Sequence, residues 1–152
     1  MSAEVSNAEK IANTLRRHVA AEMARNEGET VSTLTPDCVF EDKTLKRRWS
    51  GREGAAEYYR MWWDAFQNTV AVDGSHITAT GVVVAEVRFV GVHRGTFLGI
   101  PATERPIDLP VVIVVTGFRD GLMTGERLYW DLGTLMEQLG VTTLPRLSAN
   151  GG

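Results

Sequence analysis

Three ionisable side chains lie in stretches whose other residues are largely apolar, and each of them could carry a proton. Asp42 ends the stretch CVFED, Glu126 lies in GERLYW, and His93 lies in GVHRG. Apolar surroundings disfavour the charged form of a carboxyl or imidazole group, which suits such a group to general acid–base catalysis. The catalytic candidates are therefore Asp42 and Glu126, either of which could move the proton, and His93, which could assist.

Each candidate also has a structural interpretation that the sequence leaves open. Asp42 could instead accept hydrogen bonds at a strand end. Glu126 shares one face of its strand with Leu128 and Trp130, so it suits catalysis if that face is buried and is a surface residue if it is exposed. His93 lies on an otherwise apolar strand face, where a histidine can simply belong to the core.

Other kinds of site lack the residues they need. The single cysteine, Cys38, cannot form an internal disulfide or a zinc cluster. The three histidines lie on different predicted elements without HxH or HExxH spacing, and there is no glycine-rich nucleotide loop. We therefore expect no metal and no cofactor.

Length and charge limit the partners. The 152 residues correspond to one domain, 1–152, whose ends at 1–6 and 147–152 look frayed. The apolar runs are too short to span a membrane, and the N-terminus lacks the pattern of a secretory signal, so a cytoplasmic location is expected. The net charge of −3 argues against nucleic acid or an anionic membrane as a partner, and the basic run 43–48 is interpreted as a solvated loop.

Helical periodicity dominates the first half of the chain. It predicts a helix over 7–25, a short helical turn over 29–34, a turn at 35–37 and a strand at 38–42, with another helix opening at 50–51. The apolar stripe of the first helix is Ala8, Ile11, Ala12, Leu15, Val19 and Met23. The stripe of the later helix is Ala55, Tyr58, Tyr59, Trp62, Trp63 and Phe66.

Period-two alternation follows and predicts strands. Asp131 then stands where it can cap a final short helix. Helices first and strands second indicate an α+β domain with an antiparallel sheet and helices on one side. The predicted strands are 75–80, 82–92, 107–118 and 122–131.

The predicted strand 107–118 is apolar on both faces. Val111 and Ile113 alternate with Val112 and Val114. A strand that is apolar on both faces is usually buried on both faces, and the helices can cover only one side of the sheet. We expect the other side to pack against a second copy of the chain in a symmetric homodimer.

Three segments together resemble the SnoaL-like family of the nuclear transport factor 2-like superfamily: FED at 40–42, GVHRGTFLGIPATERP at 91–106 and RLYWDLGTLMEQLG at 127–140. The resemblance covers about residues 8–140. It implies a cone in which N-terminal helices lie across the concave face of a curved antiparallel sheet and enclose a deep apolar pocket. It also implies that subunits pair through their sheets.

The resemblance suggests roles for particular residues. Asp42 matches the proton-shuttling aspartate of the ketosteroid isomerases, and the second acid of the polyether-forming enzymes would fall near Asn68 or Thr69. The isomerases hold the oxyanion with a tyrosine of the first helix, where His18 is the only ionisable aromatic residue here. Limonene-type epoxide hydrolases need an R-x-D pattern that this chain lacks.

The polyketide cyclases provide a second comparison. Their pocket histidine and catalytic aspartate fall at Glu126 and Leu128, and another pocket histidine would match Val114. The loop that follows His93 has the length and glycine content to cover a pocket mouth.

These observations predict cofactor-free cyclisation or isomerisation of a hydrophobic, polyketide- or steroid-like substrate by acid–base catalysis. The alternative is a non-catalytic binding or accessory protein for a hydrophobic small molecule, which Leu128 and Val114 favour. The aromatic content favours a flat apolar ligand. The residues predicted to line the pocket are Tyr59, Trp63, Phe66, Phe89, Phe97, Val114, Leu128 and Trp130.

Overall fold

The computed structural model describes residues 6–147, so the predictions for 1–5 and 148–152 lie outside the described residues. None of the described helices is both long and apolar enough to cross a membrane. The helices are α1 (Asn7–Met23), α2 (Glu27–Ser32), α3 (Gly51–Phe66) and α4 (Leu132–Leu139). The strands are β1 (Leu34–Asp42), β2 (Arg47–Ser50), β3 (Thr69–Ile77), β4 (Val83–Val92), β5 (Pro106–Val115), β6 (Phe118–Arg119) and β7 (Leu122–Trp130).

The strands form one curved sheet that does not close, which confirms the predicted α+β class. The strand order is β2-β1-β7-β5-β4-β3, and β6 pairs with β7. Every pair is antiparallel except β1 and β7, which run parallel and align Asp42 with Leu128. The predicted antiparallel sheet is confirmed in the other pairs, and β1 with β7 is the exception, where the last long strand inserts between β1 and β5.

The buried face of α1 is rotated from the predicted apolar stripe. Leu15 and Val19 are only half-buried, whereas Met23 is exposed. The centre of the buried face is polar, and a buried polar side chain requires partners inside the protein. The buried residues of α1 are Ile11, Thr14, His18, Ala21 and Glu22.

The aromatic stripe of α3 is confirmed, because all six of its predicted residues are buried. The helix packs mainly against β1 and β2. Trp62 lies at the centre of the aromatic core, with ring centroids 5.0 Å from Phe89, 4.8 Å from Phe97 and 5.3 Å from Trp130. This aromatic cluster fills the space between α3 and the sheet.

Three predictions differ from the structure in the first half of the sheet. The predicted turn at 35–37 lies within β1, at a register shift against β7, where Pro36 is tolerated although it has no N–H to donate. The basic run 43–48 makes a turn and then enters β2, which the sequence did not predict. The predicted strand 75–80 begins earlier, as β3, with an irregularity between Val72 and Gly74.

Gly125 allows β1 and β7 to approach closely. Its φ is 141°, and a Cβ atom there would lie 1.9 Å from the carbonyl oxygen of Val39. A side chain cannot be accommodated against that backbone oxygen. Glycine therefore sets the path of β7 immediately before Glu126.

The faces of β5 alternate as predicted, with Val111 and Ile113 buried beneath the helices. Val112 is 37% exposed on the outer face, close to Tyr129, which is 44% exposed. Val114 also lies on the outer face, so the prediction that it lines the pocket is wrong. Successive side chains of a strand point to opposite faces, so Val114 must face outward when its neighbour Ile113 faces the core.

Candidate active site

A cavity of about 100 Å³ lies between α1 and the inner face of the sheet. Aliphatic side chains form most of its wall, and exposed Val72 and Ser75 of β3 stand at its solvent side. The ionisable groups on its wall are His18 and Glu22 of α1 and Glu126 of β7. The aliphatic lining residues are Leu15, Val19, Val70, Val72, Val83, Ala85, Val87, Ile113 and Val115, and Met123 completes the apolar part.

The ionisable groups meet at Nε2 of His18. This atom lies 3.2 Å from Oε1 of Glu126 and 3.6 Å from Oε2 of Glu22. The Tyr59 hydroxyl, from α3, lies 2.9 Å from the same nitrogen. Glu22, Tyr59 and Glu126 are buried, as His18 is. Helix α1, helix α3 and strand β7 therefore bring four titratable groups together away from bulk water.

Burial and mutual attraction change the proton affinities of this cluster. The pKa of Glu22 is raised to about 7, mainly by burial. The charge of Glu126 also raises this pKa, whereas the charge of His18 and a hydrogen bond from Tyr59 lower it. Burial by itself lowers the pKa of His18, but the charges of Glu22 and Glu126 and the hydrogen bond to Glu126 outweigh it and raise the pKa overall. The cluster can therefore both hold and release a proton near neutral pH.

The model of the SnoaL-like polyketide cyclase family matches residues 12–139, which includes every group in this cluster. The chain belongs to the SnoaL-like polyketide cyclase family. No curated protein sequence matches it.

Solved structures agree on the fold. One is described as a SnoaL-like polyketide cyclase from Jannaschia sp. CCS1, with a TM-score of 0.77 and 21% identity over 88% of this chain and 94% of that chain. Another is described as a polyketide cyclase from Xanthomonas campestris pv. campestris (TM-score 0.76, 21% identity, 88% and 99% covered). A third, from Catenulispora acidiphila, has a ketosteroid isomerase-like fold and was solved with trimethylamine (TM-score 0.71, 16% identity, 84% and 92% covered). At these identities the likeness establishes the fold alone.

Within this SnoaL-like fold, Asp42 lies apart from the cavity. Its Oδ2 accepts hydrogen bonds from the Tyr58 hydroxyl at 2.6 Å and from Nε1 of Trp130 at 2.9 Å, and its Oδ1 accepts from the Leu45 N–H at 2.8 Å. Burial raises the pKa of Asp42, although these three donors oppose the increase. The carboxyl group ties the end of β1 to α3 and β7, and its catalytic role stays a prediction.

His93 also lies outside the cavity, so the structure does not bring it together with Glu126. It is fully buried, its ring centroid lies 5.1 Å from that of Phe66, and Nδ1 accepts a hydrogen bond from the Thr103 N–H at 3.2 Å. Burial lowers the pKa of His93, which favours its neutral form. This environment is that of a core histidine.

The loop after His93 packs on the end of α3 rather than over the cavity mouth. The N–H groups of Arg94 and Gly95 both donate to the carbonyl oxygen of Ala65. A Cβ atom at Gly95 would lie 2.3 Å from the carbonyl oxygen of Asp64, so glycine permits this contact. The expectation that this loop covers a pocket mouth is wrong for the cavity described here.

The residues predicted to line the pocket mostly form the core instead. Tyr59 touches the cluster through its hydroxyl, and Trp63 stacks on its ring at a centroid distance of 5.2 Å. Leu128 shares the inner face of β7 with Glu126 but is only 1% exposed and does not line the cavity. The aromatic residues Phe66, Phe89, Phe97 and Trp130 belong to the core around Trp62.

Sequence reasoning named Glu126, which lines the cavity and whose catalytic role stays a prediction, but it missed His18 and Glu22 as a pair. A signal for them was present: Thr14, His18 and Glu22 are spaced four residues apart, which places them on one helix face beside the apolar stripe.

In the described part of the chain, no group of three or more His, Cys, Asp or Glu side chains is arranged to hold a metal ion.

Proposed function

We propose that the protein is a cofactor-free acid–base enzyme that cyclises or isomerises a hydrophobic carbonyl compound. The observation that supports this most directly is that Glu22, His18 and Glu126 lie together on the wall of a largely aliphatic cavity. Two carboxyl groups around one imidazole can hold a proton donor and a proton acceptor at the same time.

In the proposed reaction, the Glu126 carboxylate removes a proton from the carbon next to the substrate carbonyl. The protonated carboxyl group of Glu22 gives its proton to the carbonyl oxygen, so that a neutral enol forms. In isomerisation, another carbon of the conjugated enol takes the proton from Glu126; in aldol cyclisation, the enol carbon attacks a second carbonyl carbon, whose oxygen takes that proton. In both cases the enol hydroxyl returns its proton to Glu22 as the first carbonyl group re-forms. If the enol itself leaves as the product, His18, which lies between the two carboxyl groups, can return the proton from Glu126 to Glu22.

The cavity size restricts how the substrate binds. Sites that enclose a drug-sized ligand typically measure about 300–1,000 Å³, and this cavity measures about 100 Å³. We therefore propose that only the reacting end of the substrate enters, while the remainder extends past Val72 and Ser75. Trimethylamine, bound by the Catenulispora protein of the same fold, is likewise a small ligand.

The proton-transfer step can be tested without the natural substrate. In 5-nitrobenzisoxazole a base removes the C3 proton, the N–O bond breaks and a coloured cyanonitrophenolate forms. We expect the protein to accelerate this elimination beyond free acetate at equal concentration, and Glu126→Gln to lower the rate at least about tenfold. Glu22→Gln should retain most of the rate, because this elimination has no carbonyl oxygen to protonate.

A matched control is Glu57→Gln, which changes an exposed glutamate of α3, away from the cavity and from the outer face of the sheet. Its rate should equal that of the wild type. A wild-type rate no higher than that of acetate, with the probe shown to bind, would instead favour the non-catalytic binding protein. Leu128 supports that second candidate, since it occupies the position of the acid in the related cyclases.

We also propose that two copies associate through the outer face of the sheet. Val112 and Tyr129 are exposed there, next to the half-buried Val114. At the margin, Arg88 pairs with Asp73 at 3.1 Å and with Asp108 at 3.0 Å. An apolar centre with charged residues around it is the usual composition of a protein interface.

A further inference from the structure

A chain of hydrogen bonds leads from His18 away from the cavity. Its Nδ1 lies 2.7 Å from the hydroxyl oxygen of Thr33, which in turn lies 2.6 Å from the carbonyl oxygen of Thr30. Thr30 and Thr33 are fully buried and His18 is 3% exposed. The three groups therefore depend on one another for hydrogen bonding.

The directions of these bonds follow from the chemistry of the groups. A carbonyl oxygen can only accept, so the Thr33 hydroxyl donates its single hydrogen to Thr30. The Thr33 oxygen can then only accept from His18, and Nδ1 must carry a hydrogen. In the neutral ring, Nε2 is consequently the unprotonated nitrogen.

We propose that Thr33 is a positioning residue that holds neutral His18 in its Nδ1–H form, so that the ring gains and loses protons only at Nε2. Nε2 is the atom that faces Glu22 from α1, Tyr59 from α3 and Glu126 from β7. The inference deepens the proposed function, because proton return between the two carboxyl groups needs an exchangeable site at Nε2. Thr33 itself does not line the cavity.

The opposite arrangement would lose a hydrogen bond. If Nε2 carried the hydrogen, the Thr33 hydroxyl would have to donate to Nδ1. The carbonyl oxygen of Thr30 would then keep only the longer bond from the Thr33 N–H, at 3.3 Å. A buried hydrogen bond of this kind contributes about 1 kcal/mol, which favours the Nδ1–H form.

The tautomer can be observed directly by two-bond ¹H–¹⁵N correlation spectra of ¹⁵N-histidine-labelled protein above the pKa of His18. We expect a protonated Nδ1 and an unprotonated Nε2 for His18, with its signals assigned by their loss in His18→Gln. Exposed His76 serves as an internal reference for a ring in contact with solvent. An Nε2–H pattern for His18 would overturn the proposal, and this measurement needs no variant of Thr33.

Variants of Thr33 test its part. Thr33→Val should allow the Nε2–H form, and it should lower the pKa of His18 by about one pH unit because the charged ring loses an acceptor. Thr33→Ser should restore the wild-type spectrum. If both variants match the wild type, Thr33 does not set the tautomer. The spectra require no turnover, so failure of the elimination assay would refute the proposed function and leave this inference standing.

Discussion

At the scale of single residues, Glu22 and Glu126 reach the same cavity from a helix and from a strand, with His18 between them. The raised pKa of Glu22, about 7, favours the protonated carboxyl group at pH values where an ordinary glutamate is ionised. A buried carboxyl group that stays protonated is a hydrogen-bond donor, which a carboxylate is not. This is what the proposed role toward a carbonyl oxygen requires.

Replacing Glu22 should change how stability depends on pH. Because the folded-state pKa of Glu22 lies above its ordinary value of 4.5, its contribution to stability is complete below about pH 4.5 and is lost as the pH rises through about 7. Glu22→Gln avoids this loss. We expect the variant to gain stability relative to the wild type over that interval, by up to a few kcal/mol, and the difference to level off above it.

Urea unfolding at pH 5, 6, 7 and 8.5 measures this difference. The raised pKa of His18 acts in the same direction, since its contribution is present below 6.5 and is lost as the pH rises through the folded-state value. The charge of Glu22 contributes to the raised pKa of His18, so Glu22→Gln also reduces the loss of stability that comes from His18. Glu57→Gln, which changes an exposed glutamate of α3, is the control and should follow the wild type. A Glu22→Gln difference that is constant with pH would contradict the prediction.

At the scale of elements, the approach of β1 to β7 holds Glu126 in place. Gly125→Ala should destabilise the fold by about 2–4 kcal/mol, because its Cβ would overlap the carbonyl oxygen of Val39 and its φ of 141° is unfavourable for alanine. Thermal unfolding measures the loss. Movement of β7 should also reduce the elimination rate that depends on Glu126.

Gly81→Ala is a matched control for this substitution. Gly81 also has a positive φ, 84°, but a Cβ atom there would meet nothing within 4 Å. We expect it to cost about 1 kcal/mol, from the backbone conformation alone. Equal losses for the two variants would show that close approach to β1 is unimportant.

The sequence predicts the elements of this protein better than it predicts the site. The aromatic stripe of α3 and the inner face of β7 follow from side-chain periodicity, which burial confirms. The buried face of α1 follows less well, because a search for apolar periodicity counts only apolar side chains and so leaves out His18 and Glu22, although both lie beside the apolar stripe. Their burial depends on partners from β7 and α3, which are distant in sequence, and local periodicity contains no information about such partners.

The sequence also did not predict the pairing of β1 with β7, because these two strands are distant in the chain. The turn residues at 35–37 suggested that β1 begins later, whereas they form an irregularity within the strand. The parallel pairing places Glu126 opposite Phe40, across a long separation in the chain. Local signals predicted both strands but could not predict that they are neighbours.

At the scale of the whole molecule, the proposed dimer can be tested by sedimentation velocity. Val112→Lys should convert a dimer into a monomer, because it places a charge at the centre of the exposed apolar part of the sheet. Leu144→Lys is the control, since Leu144 is 62% exposed but lies in the segment after α4. A wild-type protein that sediments as a monomer at tens of micromolar would contradict the proposal.

The position of β7 in the sheet also affects how the chain can fold during synthesis. Strands β1 and β5 pair on either side of β7, so neither has this neighbour until residues 122–130 have left the ribosome. Contacts between such distant segments form slowly, and unpaired strand edges promote aggregation. A nascent chain that stalls before residue 122 would therefore expose two strand edges and lack Glu126, so that the same late event completes the sheet and assembles the cavity.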